Sequence, residues 1–306
     1  MQPFDRRQLR RQRERAAAGF DRHDFLAAEV ADRLLDRLAD TARHFALALD
    51  LGCHTGVLAR RLAAQPAAER RIGTLLQCDL SPGMAARAAR SGAPAFAADD
   101  EALPVAAGAL DLVVSGLSLQ AVNDLPGALV QLRRALRPDG LLLAAMLGGA
   151  TLAELRGCLI AAEAELCGGA GPRVAPFADI RQAGGLLQRA GFALPVVDSD
   201  TIPATYPDAL TLMRDLRGMA LGNALAARRR GFTPAAVLAR AAALYAERHG
   251  TGDGRIVATF EVVFLHGWAP SAAQPQPLRP GSARTRLADA LGAAERSAGE
   301  KAGPAR

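Results

Sequence analysis

Residues 47–56 (LALDLGCHTG) constrain the fold of this chain most strongly, because an apolar strand there leads directly into a glycine-bearing turn and then into a helix. A turn with little side-chain bulk lets backbone N–H groups approach a ligand, and the N-terminus of the following helix favours negative charge. The pattern is typical of a site for a nucleotide cofactor. Turns of this type repeat glycine at every second position, whereas this chain has His54 between Gly52 and Gly56.

The composition limits the classes of protein to be considered. A chain of 306 residues, 50% of them hydrophobic, can bury a full core. The net charge is +6, and the positive charges come almost entirely from arginine, because Lys301 is the single lysine. Because no basic stripe is interleaved with aromatic residues, we do not expect nucleic-acid binding. No apolar run reaches the roughly 18 residues of a membrane span, so membrane association would be peripheral at most.

The cysteines and histidines do not form the patterns of metal sites or disulfide frameworks. There is no CxxC pair, and no histidine is followed two positions later by an acidic residue. We therefore predict no metal site and no disulfide framework. The N-terminus lacks the hydrophobic segment of a signal peptide, which favours a bacterial cytoplasmic location. The residues concerned are Cys53, Cys78, Cys158, Cys167, His23, His44, His54, His249 and His266.

Short apolar segments of strand length alternate with helical segments between residues 46 and 146. The predicted strands are 46–51, 75–80, 95–98, 110–115 and 141–146. The predicted helices are 56–64, a short one beginning near Ser81-Pro82, and 125–136, which is followed by a turn at 137–140. This alternation indicates a parallel sheet covered by helices on both faces, with ligands bound beyond the carboxyl ends of the strands.

The two ends of the chain add helices to this sheet. Two predicted helices, 4–15 and 24–38, come first, and the arginines of the first either form a solvated basic face or belong to a lid that meets an anionic ligand. Helices are also predicted at 151–166, 180–190, 207–218 and 234–248, and strands at 194–198 and 256–264. Helices between the last two strands would form a cap above the ligand edge of the sheet.

Polar residues follow successive strands of the predicted sheet. Asp79 closes the second strand, Asp99 and Asp100 close the third, and Ser115 closes the fourth. A carboxylate after the second strand can accept both hydroxyls of a ribose, and one after the third can accept an adenine amino group. Each aspartate alone is typical of a turn, but together they predict a nucleotide site. The apolar residues predicted to enclose the base are Leu80, Met84 and Ala98.

These motifs resemble those of the class I S-adenosylmethionine-dependent methyltransferases, through residues 50–56, Asp79, Asp99 and residues 110–119. The resemblance implies a Rossmann-like α/β fold with a seven-stranded, mostly parallel sheet, a helical cap between the last two strands, and S-adenosylmethionine as the cofactor. It implies that Gly52 and Cys53 hold the methionine part, Asp79 the ribose and Asp99 the adenine. The predicted cofactor-binding residues are Asp50, Gly52, Cys53, His54, Gly56, Asp79, Leu80, Met84, Asp99, Asp100 and Ser115.

Further segments, spread over nearly the whole chain, carry a closer resemblance. They are 4–6, 123–126, 146–149, 151–156, 172–177, 267–268 and 279–283. Through them the sequence is similar to the arginine-hydroxylase assembly factors of respiratory complex I, which implies a complex I subunit as partner and one of its arginines as the modified group. Two alternatives remain: the malonyl-acyl-carrier-protein O-methyltransferases of biotin synthesis, which share a Leu119-Gln120 pair, and a non-catalytic assembly chaperone with a degenerate cofactor site.

The predicted organisation has four parts. They are an N-terminal helical lid (1–40), a cofactor-binding core (41–150), the rest of the sheet with its cap (151–268), and an extended tail (269–306) that is partly disordered, above all at 299–306. Gln120, Arg156 and Tyr206 are the candidates for contact with a substrate. Glutamine cannot act as a general base near neutral pH, so no catalytic residue is predicted.

His54 decides how well this cofactor turn works. If the turn requires a positive φ at this position, a residue other than glycine costs on the order of 1–2 kcal/mol and weakens binding by about five- to thirtyfold. Histidine is among the residues that tolerate this conformation. We predict that the ring points away from the methionine pocket and that the cofactor binds with micromolar to tens-of-micromolar affinity.

Overall fold

The computed structural model describes residues 2–175, 180–275, 282 and 285–294. The chain divides into two compact units, Met1–Ser271 and Ala272–Arg306, and the described residues of the second include a short helix, Leu287–Leu291. The segments 172–177 and 279–283, which carry part of the resemblance to the assembly factors, lie partly or mostly outside the described residues. The segment predicted to be disordered, 299–306, lies wholly outside them.

The first unit is built on a seven-stranded sheet, as predicted. Its strand order is β3-β2-β1-β4-β5-β7-β6, with β7 antiparallel to both neighbours and every other pair parallel. Strand order reverses between β1 and β4, which places the ligand edge at their carboxyl ends. The strands are β1 (Phe45–Leu51), β2 (Ile72–Asp79), β3 (Ala95–Ala97), β4 (Leu110–Gly116), β5 (Leu136–Leu147), β6 (Ala193–Tyr206) and β7 (Ile256–Trp268).

Helices cover both faces of this sheet. In β4, Leu112 and Val113 point to opposite faces, and each joins a separate buried cluster of apolar side chains. Capping side chains fix several helix starts: Asp5 accepts from Gln8 N–H, and Ser81 accepts from Met84 N–H. The helices are α1 (Arg6–Ala17), α2 (Phe25–Ala39), α3 (Val57–Ala64), α4 (Pro82–Ala88), α5 (Leu125–Ala135), α6 (Ala153–Cys167), α7 (Ile180–Arg189), α8 (Ala209–Gly218) and α9 (Ala235–His249).

The cap contains the two helices predicted for it and one more. As predicted, α8 and α9 lie between the last two strands, while α6 and α7 lie between β5 and β6. Helix α6 packs against α9 and so belongs to the cap, whereas α7 packs on the sheet beside α5. Of these four helices, α6, α8 and α9 therefore form the cap, and α7 covers the sheet.

Strands β6 and β7 are longer than predicted, and the predicted turn at residues 137–140 is part of a strand. β6 and β7 contain 14 and 13 residues and pair over most of that length. Residues 137–140 are part of β5, where they form an irregularity: the pairing moves from Leu110 with Leu136 to Leu112 with Leu141. Asp139 has a φ of +62° in this bulge and donates its N–H to the carbonyl of Ala269.

Candidate functional site

The turn after β1 adopts the left-handed backbone that glycine favours at three positions: Gly52, His54 and Gly56 have φ of +74°, +50° and +80°. Histidine therefore does occupy a left-handed position, as the sequence analysis considered. The N–H groups of Gly52 and Cys53 both donate to the carbonyl of Cys78, at 2.8 and 2.9 Å. These two N–H groups are therefore hydrogen-bonded to β2 and are not available to a ligand. This corrects the expectation that the turn presents its backbone N–H groups to a cofactor.

Neither glycine of the turn has room for a side chain. A Cβ on Gly56 would lie 2.8 Å from Oε1 of Gln77 and 3.1 Å from Cα of Ala88. A Cβ on Gly52 would lie 2.3 Å from Cβ of Ser118, so the serine side chain sits directly over the turn. The cavity that remains beside residues 50–54 has a volume of about 20 Å³, room for about one water molecule.

Asp79, the predicted ribose ligand, forms an ion pair with a residue of α1. The Arg13 guanidinium donates to Asp79 Oδ2 at 3.0 Å, and the two side chains are 4% and 0% exposed. His54 N–H also donates to Oδ2, at 3.1 Å, and Ser81 N–H donates to Oδ1 at 2.8 Å. The carboxylate therefore has three hydrogen bonds within the protein itself.

The acids after β3 meet a second arginine of α1. Arg6 pairs with Asp100, and with Asp99 at 2.5 Å. Burial acts to raise the pKa of Asp99, but the N–H of Glu101 and the charge of Arg6 outweigh it and hold this pKa below its ordinary value. Burial raises the pKa of Asp100, which is 5% exposed, although Arg6 and Arg13 act against that rise.

Ser118 joins these two ion-paired groups into one network. Arg13 donates to Ser118 Oγ at 3.0 Å, and that hydroxyl donates to Asp100 Oδ2 at 3.0 Å. The acids predicted at successive strand ends are therefore brought together at one edge of the sheet. They are held there by two arginines, Arg6 and Arg13, which sequence reasoning did not single out, and by a serine it also missed. The two arginines are seven residues apart, the spacing that places side chains on one face of a helix.

Asp50 is a buried acid at the end of β1. Burial and the nearby charge of Asp79 raise its pKa to about 8, so its carboxyl group carries a proton at neutral pH. Its Oδ2 is buried without a hydrogen-bond partner among the described residues. The two neighbouring cysteines, Cys53 and Cys78, are also buried, and burial raises the pKa of both thiols.

His54 is 6% exposed and lies beneath the segment that follows α1. Its ring stacks on Phe20, with centroids 5.0 Å apart and planes 13° apart. Burial and the charge of Arg13 lower the pKa of His54 to about 4, so the ring is neutral at physiological pH. Nδ1 has no hydrogen-bond partner among the described residues. Two buried polar atoms at the turn, this Nδ1 and Oδ2 of Asp50, therefore lack partners where the cofactor was predicted.

The remaining predicted cofactor residues differ in their hydrogen bonds and in their exposure to solvent. Ser115 donates its hydroxyl to the carbonyl of Leu51 at 2.9 Å, so this hydroxyl connects β4 to β1. Met84 is completely buried in α4, and Leu80 is partly exposed just after β2. Their role in enclosing a base, predicted together with Ala98, stays a prediction.

A cavity of about 390 Å³ lies between α1, the strand ends and the cap. Its size falls in the range of small-molecule sites. Gln120 lines it, as predicted for a substrate-facing residue. Arg156 instead donates to the carbonyls of Gly149 and Thr151. Apolar walls come from Leu9 of α1, Leu147 of β5, Leu155 of α6, Leu216 of α8 and Leu238 of α9.

Tyr206 does not line this cavity either. Its hydroxyl donates to Asp215 Oδ2 at 2.7 Å, and burial followed by this hydrogen bond raises the pKa of the phenol. The side chain is 7% exposed and belongs to the packed core. Of the three predicted substrate-facing residues, the structure therefore brings only Gln120 to the cavity.

The described residues show two further features that bear on function. None of their helices combines the length and the apolar character that crossing a bilayer requires. No group of three or more His, Cys, Asp or Glu side chains in this part of the chain is placed to hold a metal ion.

Comparison with known proteins agrees with the fold. The family model described as a methyltransferase domain matches residues 49–144. The YcgJ protein of Bacillus subtilis has a similar structure, with a TM-score of 0.54 at 14% identity, over 78% of this chain and 99% of that one. The matched domain and this fold identify the chain as an enzyme of the methyltransferase superfamily.

Within that superfamily, full-length relatives define a narrower group. The arginine-hydroxylase NDUFAF5, mitochondrial, of Danio rerio is 41% identical over 94% of this chain and 89% of its own length. A malonyl-[acyl-carrier protein] O-methyltransferase of Halorhodospira halophila is 39% identical over 87% of this chain and 89% of its own length. The chain belongs to the methyltransferase family that contains the NDUFAF5 arginine-hydroxylases.

Proposed function

We propose that this chain binds S-adenosylmethionine at the strand-end acids and acts as an assembly factor of respiratory complex I that hydroxylates an arginine of one of its subunits. The single observation that carries the cofactor assignment is the convergence of Asp79, Asp99 and Asp100 beside the turn at Gly52. The 41% identity to an arginine-hydroxylase over nearly the full chain supports the reaction.

The residues present fit this cofactor once α1 has moved. Asp79 would accept the ribose hydroxyls, Asp99 would accept the adenine amino group, and Leu80 and Met84 would flank the base. The unpartnered Oδ2 of Asp50 lies at the end assigned to the methionine part. When bound, the cofactor supplies an electrophilic methyl group on sulfur. As described, Arg13 and Ser118 fill the space that these contacts require.

Hydroxylation makes its own demands on the site. The reaction replaces a C–H bond by C–OH, a two-electron oxidation. With dioxygen as the oxidant, one oxygen atom enters the arginine and the other leaves as water, so an external donor must supply two electrons. Gln120, in the wall of the cavity, can donate and accept hydrogen bonds but does not take up a proton near neutral pH. Its contribution is to orient the substrate segment.

Deletion of the gene tests the proposed reaction. In the deletion strain, we expect one arginine-containing peptide of a complex I subunit to lose the mass of a single oxygen atom, and assembled complex I to decrease. The wild-type gene should restore both. Mass spectrometry of the purified subunits and native gels of the membranes measure the two effects.

The same strain separates the enzyme from a chaperone. A gene encoding Asp79→Asn should fail to restore the oxygen atom. If that gene restores assembly in full while the mass stays low, the chain acts as a scaffold whose chemistry is dispensable. An unchanged subunit mass in the deletion strain would rule out arginine hydroxylation.

A second candidate reaction is favoured by the charge of the cavity. The charged side chains among the described residues that line it are Arg13, Arg173 and Arg217. Arg13 pairs with Asp79, and Arg173 pairs with Glu163. Of these three arginines, Arg217 is therefore the one available to a charged substrate. Arginine side chains attract a carboxylate and repel the guanidinium of a substrate arginine. Methyl transfer to the carboxylate of a malonyl group on a carrier protein agrees with this lining and with the 39% identity to O-methyltransferases of that substrate.

Labelled methyl transfer to malonyl carrier protein tests this candidate. Arg217 is exposed on α8 at the edge of the cavity, so Arg217→Gln should raise KM about tenfold through loss of one charge-assisted contact, with a smaller effect on kcat. Arg214→Gln, also exposed on α8 but outside the cavity lining, is the matched control and should leave both constants unchanged. Failure of the wild-type protein to transfer label would exclude this substrate.

A further inference from the structure

We propose that helix α1 is an internal competitor of the cofactor: its arginines occupy the carboxylates that the cofactor needs, and the cofactor binds only when α1 withdraws. This inference rests on the cofactor site of the proposed function. It goes further by assigning Arg6 and Arg13 as the residues that set cofactor affinity.

Arg13 makes the strongest contact of this kind. Its guanidinium lies 3.0 Å from Asp79 Oδ2, at a carboxylate that already receives His54 N–H and Ser81 N–H. A carboxylate has about four positions for hydrogen-bond donors. Two ribose hydroxyls therefore cannot be added while Arg13 remains. Since an unpaired buried guanidinium is strongly unfavourable, Arg13 must leave this interior position, together with the helix that carries it.

A second contact closes the methionine end of the site. The Ser118 side chain covers Gly52 so closely that not even a Cβ would fit between them. Arg13 and Asp100 hold that serine in place, each at 3.0 Å from its hydroxyl oxygen. Withdrawal of Arg13 therefore also removes one of the two hydrogen bonds that hold this side chain over the turn.

The contacts of α1 are of a kind that a ligand can exchange. Its buried apolar residues are Leu9 and the small Ala16 and Ala17, so withdrawal exposes little apolar surface. The other main contacts are polar: Glu14 accepts from Ser81 Oγ at 2.5 Å and from Gly83 N–H at 3.0 Å. The cofactor's hydroxyl and amino groups can replace the arginines as donors to the strand-end acids.

The same helix forms a wall of the large cavity. Leu9 and Arg13 of α1 line it, as does Phe4 just before the helix, so movement of α1 changes the cofactor site and the cavity together. A protein whose site is open in about one molecule in a hundred binds its ligand about a hundredfold more weakly than the open form does. A substrate that favours the open form would raise cofactor affinity by the same linkage.

Hydrogen exchange and calorimetry with S-adenosylhomocysteine test this role on the full-length protein. We expect binding to accelerate exchange of the backbone amides of residues 6–17, because the ligand displaces α1. Arg13→Gln and Arg6→Gln should each tighten binding about tenfold or more. Arg11→Gln removes an equal charge from the exposed side of the same helix and should leave the affinity unchanged.

The outcomes distinguish the lid from the cofactor site itself. Slower exchange of residues 6–17 on binding, or weaker binding by Arg13→Gln and Arg6→Gln, would show that α1 supports the bound ligand and would overturn the competitor role. If neither the wild-type protein nor either variant binds S-adenosylhomocysteine at millimolar concentration, the proposed cofactor site is wrong. The competitor role of α1 is then wrong as well. Arg6→Gln keeps the test decisive if Arg13→Gln does not fold, since Arg6 lies outside the Asp79 pair.

Discussion

Replacement of Asp79 by alanine is expected to abolish binding of S-adenosylhomocysteine and to lower the free energy of unfolding by about 3–5 kcal/mol. The side chains of Asp79 and Arg13 are almost wholly buried, so the substitution leaves a guanidinium in the interior without its counter-charge. The N–H groups of His54 and Ser81 lose their acceptor as well. Urea unfolding at pH 7 and calorimetry measure the two effects.

Two further variants identify the cause of this loss. Asp32→Ala breaks an ion pair with Arg61 whose side chains are both 46% exposed, and it should cost less than about 1 kcal/mol. Arg13→Leu, added to Asp79→Ala, should recover part of the stability, because no unpaired charge then remains buried. If Asp79→Ala cost no more than Asp32→Ala, the ion pair with Arg13 would not be the buried contact described above.

Between pH 6.5 and pH 4, the wild-type protein should lose on the order of 3 kcal/mol of stability through His54 alone. Burial lowers the pKa of this ring from 6.5 to about 4 in the folded protein. As the pH falls below 6.5, His54 therefore takes up a proton in the unfolded chain. In the folded protein it does so only near pH 4. The contribution of the neutral His54 ring to the free energy of unfolding is complete above pH 6.5 and disappears as the pH falls toward 4.

Unfolding midpoints measured across this pH range in wild type and His54→Asn test the effect. Asparagine does not titrate and tolerates the left-handed backbone at position 54, so this variant should show a shallower decline in stability toward pH 4. His44→Asn, at an exposed histidine, should decline as the wild type does. Parallel curves for wild type and His54→Asn would mean that the ring is accessible to solvent protons in the folded state.

The central strands were predictable because their signal is local. β4 and β5 are buried on both faces, so their sequences are nearly continuous apolar runs that stand out from the helices between them. β6 was underestimated for the opposite reason. It is an edge strand with an alternating and largely exposed burial pattern, and it contains Pro195 and Pro203, which an edge strand accepts because its outer side needs no hydrogen-bond donors.

The acids of the predicted site do lie together at the sheet edge, but the sequence did not reveal their partners. Asp79, Asp99 and Asp100 were located because parallel strands bring their carboxyl ends to one edge, which makes position along the chain informative. Tyr206 and Arg156 were chosen because they belong to the predicted cap region, and sequence does not fix which way a side chain on such an element points. They bond to Asp215 and to the carbonyls of Gly149 and Thr151 instead of lining the cavity.

The sequence by itself determined the strand alternation, the glycine-bearing turn with His54 inside it, and the row of acids at the sheet edge. Each of these follows from neighbouring residues and from the geometry of a parallel sheet. Only the tertiary structure decided that Arg13 pairs with Asp79 across 66 residues of chain, and that Ser118 covers Gly52. Such contacts depend on where α1 packs, which is set by the shape and charge of surfaces formed only after the sheet has assembled.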